Sequence, residues 1–181
     1  MAWRTMLRAL RDGPATEPAP GADMLLAESL AARLHAAAQK RLGRGLAIRQ
    51  VDSGSCNGCE LEIHMLGNIV YDLERLGLRF VASPRHADVL LVTGPVTRNM
   101  HEALMRTWTA TPDPKFVVAV GDCAIDGGVF KGSPAIIGGI EAAVPVDAFV
   151  RGCPPTPSAI LEVLCTLVEA NVPAPERPRR Y

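Results

Sequence analysis

Excess charge of either sign is missing from this 181-residue sequence, in which 19 Lys and Arg balance 19 Asp and Glu. Nucleic-acid binding needs a basic surface, so the balance argues against that class of partner. Aromatic residues are scarce, at 4%, while 16 Gly and 15 Pro give loops and tight turns much of the architecture. No apolar run approaches the ~20 residues that span a bilayer, so the chain is not expected to be integral to a membrane. A secretory pattern is missing too, because the apolar stretch after Arg4 is broken at Arg8 and Arg11. The expected compartment is therefore cytoplasmic and reducing, where five cysteines are not expected to form disulfides. Metal binding is the first candidate for their use.

What is present is the composition of a globular domain, with 48% apolar and 21% charged residues. The length suits one domain with a proper core. Charge is unevenly spread. Residues 1–50 hold eight Lys and Arg against four Asp and Glu, while residues 51–181 hold eleven against fifteen. A basic arm on an acidic body suits docking or a membrane surface, though solvated helix faces would look the same.

Trp3, Met6, Leu7 and Leu10 recur at helical spacing and predict a short amphipathic helix. Residues 13–21, with Pro14, Pro18 and Pro20, read as a linker. A second helix runs from a cap at Asp23 to about Leu42, stopped by Gly43 and Gly45. Strands are expected at Leu46–Val51, Leu78–Ala82, Val89–Thr93, Lys115–Val120 and Val146–Val150. Helices are expected at Glu60–Leu76, Arg98–Thr109 and Pro157–Ala170. The unbroken apolar runs at 89–92 and 116–120 indicate strands buried on both faces. Their alternation with helices indicates a mostly parallel sheet in a three-layer α/β fold. The domain plan is a helical arm over 1–45, an α/β domain over 46–170 and a loose tail over 171–181.

The cysteines follow the strands. Cys56 and Cys59, with two residues between them, come just after the first strand; Cys123 comes just after the one ending at Val120, and Cys153 after the one ending at Val150. In a parallel sheet these loops share one edge, where ligands bind, so three loops can deliver four thiols to one place. Gly54, Gly58, Gly121 and Gly152 flank them and let backbone approach sulfur closely. Pro154 after Cys153 echoes the Cys-Pro of bacterial cluster motifs. Four thiolates could also hold structural zinc, but zinc sites usually take two close pairs, and the pattern here favours a 4Fe–4S cluster. Cys165 lies among Ile160, Leu161, Leu164 and Val168 and reads as a small buried hydrophobe.

Five stretches carry a resemblance: Ser53-Gly-Ser-Cys-Asn-Gly-Cys-Glu60, Ser83-Pro-Arg-His-Ala-Asp88, Val92-Thr-Gly-Pro-Val-Thr97, Gly121-Asp-Cys-Ala-Ile-Asp-Gly-Gly128 and Arg151-Gly-Cys-Pro-Pro155. With them, residues 46–170 resemble the small-subunit family shared by membrane-bound nickel–iron hydrogenases and respiratory complex I. Complex I subunits carry adjacent cysteines at the first ligand site. Cys56-Asn57-Gly58-Cys59 looks instead like the hydrogenase branch, of the formate hydrogenlyase type. The resemblance implies a flavodoxin-like fold and one 4Fe–4S cluster on Cys56, Cys59, Cys123 and Cys153, beside a nickel–iron large subunit that carries out the chemistry. A ferredoxin-like electron-transfer subunit and integral membrane subunits are the further implied partners. Exported relatives carry a twin-arginine leader and a C-terminal domain with extra cluster cysteines. Neither is seen here, and the expectation is a peripheral subunit on the inner face of the cell membrane. The alternative is a complex I-like chain that passes electrons from its cluster to quinone.

Other residues have narrower expectations. Glu60 and Glu62 suit the start of a helix, or a proton relay. Arg85, Arg98 and Arg151 could offset an anionic cluster, and Arg85 could face a partner. His64, His86 and His101 are expected as hydrogen-bonded helix or loop residues, and Asp122 and Asp126 as turn formers. Gly58 is the spacer residue expected to take unusual dihedrals.

Overall fold

The computed structural model describes residues 24–170. Its helices are α1 (Met24–Leu42), α2 (Gly58–Met65), α3 (Arg98–Ala110), α4 (Asp122–Asp126) and α5 (Pro157–Glu169). Its strands are β1 (Ala47–Asp52), β2 (Arg79–Phe80), β3 (Val89–Thr93), β4 (Val96–Thr97), β5 (Phe116–Val120), β6 (Ile136–Gly138) and β7 (Ala148–Val150).

Every residue of β3 and β5 is buried, as apolar runs without alternation require of strands covered on both faces. They form the middle of a sheet ordered β2-β1-β3-β5-β7, in which each neighbouring pair is parallel. Leaving aside β4 and β6, which pair antiparallel to each other, this is the 2-1-3-4-5 order of flavodoxin-like folds. Alternate residues serve opposite cores. Val89 and Leu91 pack with α1, α2 and α5, while Leu90 and Val92 pack with Leu104 of α3 and Ala124 of α4. The expected three-layer α/β fold is the one found.

Polar clamps set the entry to the sheet. Asp88, nearly buried, accepts from the backbone N–H of Ala47 at 2.9 Å and from both terminal nitrogens of Arg44 at 2.6 and 2.8 Å. That pairing holds the start of β1 level with the turn before β3.

Helix α1 is part of this core. Leu30, Ala31, Leu34 and Ala38 are buried with Ile160, Leu161, Leu164 and Val168 of α5. The core therefore draws on residues before 46. Gly43, at φ 68°, ends α1 and donates its N–H to the Gln39 carbonyl. The expected first helix and linker, before residue 24, and the tail over 171–181 lie outside the described residues.

The long helix expected over Glu60–Leu76 is shorter. α2 ends at Met65, because the Asn68 side chain accepts from the N–H groups of Val70 and Tyr71 and turns the chain. A single 3₁₀ turn, Leu73–Leu76, follows. β2 keeps only Arg79–Phe80 of its expected span, and β7 only Ala148–Val150.

If α1 belongs to the core, Leu34→Ala in the full chain lowers unfolding free energy by about 2–5 kcal/mol. Urea denaturation measures this, and a change below about 0.5 kcal/mol, the size of a surface substitution, would detach α1 from the core.

Candidate functional site

The loop from β1 to α2 is held by side chains at the strand ends. Ser53 is fully buried; its hydroxyl donates to the Thr93 carbonyl at 2.6 Å and its N–H to the same oxygen at 3.0 Å. Asp52 accepts from the N–H groups of Gly54 and Ser55, each at 2.7 Å, and starts the turn. The Ser55 hydroxyl then donates to Glu60 Oε1 at 2.6 Å and accepts from the Asn57 N–H at 3.1 Å. Thr93 at the end of β3 donates to that same Glu60 oxygen.

Glu60 is thus the knot of the loop. It is 5% exposed, and its second oxygen, Oε2, is buried without a hydrogen-bond partner. This goes beyond the helix-start role expected for it, and it depends on Ser55 and Thr93, which the sequence did not single out. The one signal, for Thr93, was a hydroxyl residue at the end of a buried strand, where a polar group needs a partner. The spacer residue with positive φ is Asn57, at 71°, and not Gly58; a short polar side chain tolerates that conformation.

The other two loops are tied to each other. Gly121 donates to the Val150 carbonyl and Asp122 to the Gly152 carbonyl, at 2.8 and 2.9 Å. Asp122 Oδ1 accepts in return from the Gly152 N–H at 3.1 Å. Asp122 therefore joins the Cys123 loop to the Cys153 loop as well as turning its own. Asp126 accepts from the Gly128 N–H and pairs with Lys131, and these two contacts hold its carboxyl below the usual range.

Four cysteines lie on the loops at this edge. Cys56 and Cys153 are exposed, Cys59 and Cys123 partly buried. Burial foremost, then the charge of Glu60 and then Cys123, Cys56 and Cys153, push the Cys59 thiol up to about 12. All four thus lie in one electrostatic field. The Cys123 thiol is also raised, first by burial, while the N–H of Val129 bonded to it pulls the other way. Two glycines leave room for the sulfurs. A Cβ on Gly121 would stand 2.5 Å from Cys59 Sγ, and one on Gly128 would stand 2.8 Å from Cys123 Sγ. Among the described residues no group of three or more His, Cys, Asp or Glu is gathered for a single metal ion. Cys165 is 1% exposed and donates to the Leu30 carbonyl in the core.

The remaining candidates disperse. Arg151 precedes the Cys153 loop and acts on Asp126. Arg98 donates to the Pro134 carbonyl at 2.7 Å. Arg85 and His86 sit exposed on the 3₁₀ turn Pro84–His86, His101 on α3, and His64 lines a separate cavity. Glu62 lies on α2, half-buried.

Residues 56–167 match the family model described as NADH ubiquinone oxidoreductase, 20 kDa subunit. The chain is 44% identical over 138 residues to formate hydrogenlyase subunit 7 of Escherichia coli, a match covering 76% of this chain and 54% of that protein. It therefore spans about half the length of that relative. It is 46% identical over 144 residues to a probable membrane-bound hydrogenase subunit, mbhJ, of Pyrococcus furiosus, covering 76% and 86% of the two chains. Among solved structures, a chain of the membrane-bound sulfane sulfur reductase, an archaeal respiratory membrane complex, superposes with a TM-score of 0.62. It is 33% identical, and the match covers 77% of each chain.

The raised Cys59 value means that the fold holds the neutral thiol, so thiolate forms there only well above the ordinary range. In the metal-free full chain at pH ~8.5, an ordinary thiol value, iodoacetamide should modify the exposed Cys56 and Cys153 at least about tenfold faster than Cys59. Peptide mass spectrometry reads the rates, and equal rates would contradict the burial of Cys59.

Proposed function

The chain belongs to the family of the 20 kDa subunit of NADH ubiquinone oxidoreductase, and on that premise we propose that it carries one 4Fe–4S cluster within a membrane-bound hydrogenase complex. The family's members are parts of oxidoreductase complexes, and the family is an iron–sulfur one. The cluster ligands are Cys56, Cys59, Cys123 and Cys153. The observation that supports this is that the cysteine loops follow strand ends at one sheet edge, two of them tied through Asp122 and Gly152, beside glycines at which a Cβ would run into the Cys59 and Cys123 sulfurs. A donor set of thiols alone, with backbone N–H groups near sulfur, suits iron–sulfur ligation.

When bound, the cluster supplies one-electron transfer. The chain's own residues do the rest. Cys59 Sγ would hold the cluster as the thiolate, as a metal ligand must, and the partly buried Cys59 and Cys123 would limit the access of water to the site. The Val129 N–H bonded to Cys123 Sγ holds that sulfur in place and moderates its charge. Arg151 adds positive charge next to the Cys153 loop. The Ser55–Glu60–Thr93 network fixes the spacing of Cys56 and Cys59 by anchoring their loop to the end of β3.

The relatives named for hydrogenlyase and membrane-bound hydrogenase support a nickel–iron large subunit as the immediate partner, with ferredoxin-like and integral membrane subunits beyond it. Among the described residues no helix is long and apolar enough to cross a membrane, and we assign the chain to the periphery of the complex, on the inner face of the cell membrane. The name of the family favours the alternative, in which the electrons pass to quinone.

Replacing Cys56, Cys59, Cys123 or Cys153 with Ala is expected to abolish the visible absorbance of the cluster, since a cluster that loses one of its thiolates becomes labile. Cys165→Ala is expected to retain it. The purified complex is expected to contain nickel and to reduce a viologen dye with hydrogen. Retained absorbance in any of the four variants overturns the ligand set, and a nickel-free complex that reduces quinone moves the assignment to the alternative.

A further inference from the structure

Away from the thiols, a cavity of about 350 Å³ opens at the β1–β2 edge of the sheet. β1 contributes Arg49 and Gln50, the end of α2 and the turn after it contribute His64 and Gly67, and Phe80 to Ala82 form the apolar wall. β2 is only two residues long and stands at the sheet edge, so it leaves this space uncovered. None of the four site cysteines lines it, and neither does any carboxylate.

Arg49 is the unusual group. Its Nε is buried without a hydrogen-bond partner, and among the described residues its guanidinium has no ion pair. Burying such a donor unpaired is unfavourable, and the remainder of this half-buried side chain lines the cavity, where it can meet an acceptor. A guanidinium offers a planar fork that fits carboxylate or phosphate oxygens in pairs. Gln50 and His64 also line the cavity and can donate hydrogen bonds, and Phe80, Val81 and Ala82 add apolar surface to its lining. The volume is in the range of small-molecule sites, about 300–1,000 Å³.

We infer that this cavity binds a small ligand with an anionic phosphate or carboxylate head, held by Arg49, and a short apolar body lying on Phe80 to Ala82. The head chemistry is common to a membrane phospholipid and to a soluble organic phosphate. The site is separate from the thiols, and its test leaves the cluster assignment untouched as long as the variants keep their iron.

The purified full chain is titrated calorimetrically with hexyl phosphate, inorganic phosphate, 1-hexanol and dihexanoyl phosphatidylglycerol. Hexyl phosphate is expected to bind saturably, and inorganic phosphate and hexanol at least about tenfold more weakly, because each keeps half of the contacts. Arg49→Met should weaken hexyl phosphate by at least about tenfold through loss of charge-assisted hydrogen bonds. Gly67→Leu is a second variant. A Cβ there meets only the His64 carbonyl, at an ordinary 3.6 Å, and Gly67 lines the cavity, so a leucine is expected to take up part of its volume and weaken binding at least about tenfold with an unchanged melting temperature. Tighter binding of the phosphatidylglycerol than of hexyl phosphate identifies a bilayer lipid as the source, and weaker binding a soluble phosphate; either supports the site. No saturable binding of hexyl phosphate, as when Arg49 serves a partner's carboxylate, would overturn it. So would equal affinity in a folded variant of either kind.

Discussion

Parallel alignment of β1, β3, β5 and β7 is the constraint on which everything at the site depends. A parallel sheet has polarity: every strand's carboxyl end emerges at the same edge, and the return connections must cross a face as helices. Cysteines 64 and 30 residues apart in sequence, Cys59 to Cys123 to Cys153, come to one sheet edge only because each follows a strand end. The strands are parallel because they are buried on both faces. Val89–Thr93 and Phe116–Val120 have no solvent face to turn outward, so helices must cover both sides. Burial of the sheet and convergence of the thiols are two consequences of the same apolar runs.

Polarity brings the loops together, and hydrogen bonds set their shape. The β1–α2 loop hangs from β3 through Ser53 and through Glu60 to Thr93, so the Cys56–Cys59 pair is referenced to the neighbouring strand and not to its own. The Cys123 and Cys153 loops are referenced to each other through Asp122 and Gly152. Anchoring of this kind lowers the conformational freedom of the loops that carry the four cysteines, and preorganisation of that sort reduces the cost of binding any group there. The buried, unpartnered Glu60 Oε2 is a local cost beside these loops, of the kind seen where a local rule is broken.

The strands of the sheet centre were legible from unbroken apolar runs, and the positions of Cys56, Cys123 and Cys153 after strand ends followed from chain order. So did the helix from Met24, whose Leu30 and Leu34 lie one turn apart. The proline-rich segment before it suggested an arm; packing of that helix on α5 is a contact across more than a hundred residues, as the Arg33–Glu169 pair illustrates, and periodicity alone does not reveal such pairings. The end of α2 was missed because Asn68 competes through its side chain, a local effect that an apolar count ignores. β4 and β6 are two and three residues long, too short for any period. Glu60 was visible as an acidic residue at a helix start, but its bond to Thr93 joins residues 33 apart and arises only from the fold.

The central claim is that four thiolates on three loops hold one cubane cluster. Its most direct test is chemical analysis of the anaerobically purified full chain for iron, acid-labile sulfide and zinc. A 4Fe–4S cluster on Cys56, Cys59, Cys123 and Cys153 predicts about four iron and about four sulfide per chain, with no zinc. About one zinc per chain, with neither iron nor sulfide, would contradict it and make the same thiols a structural tetrahedral site.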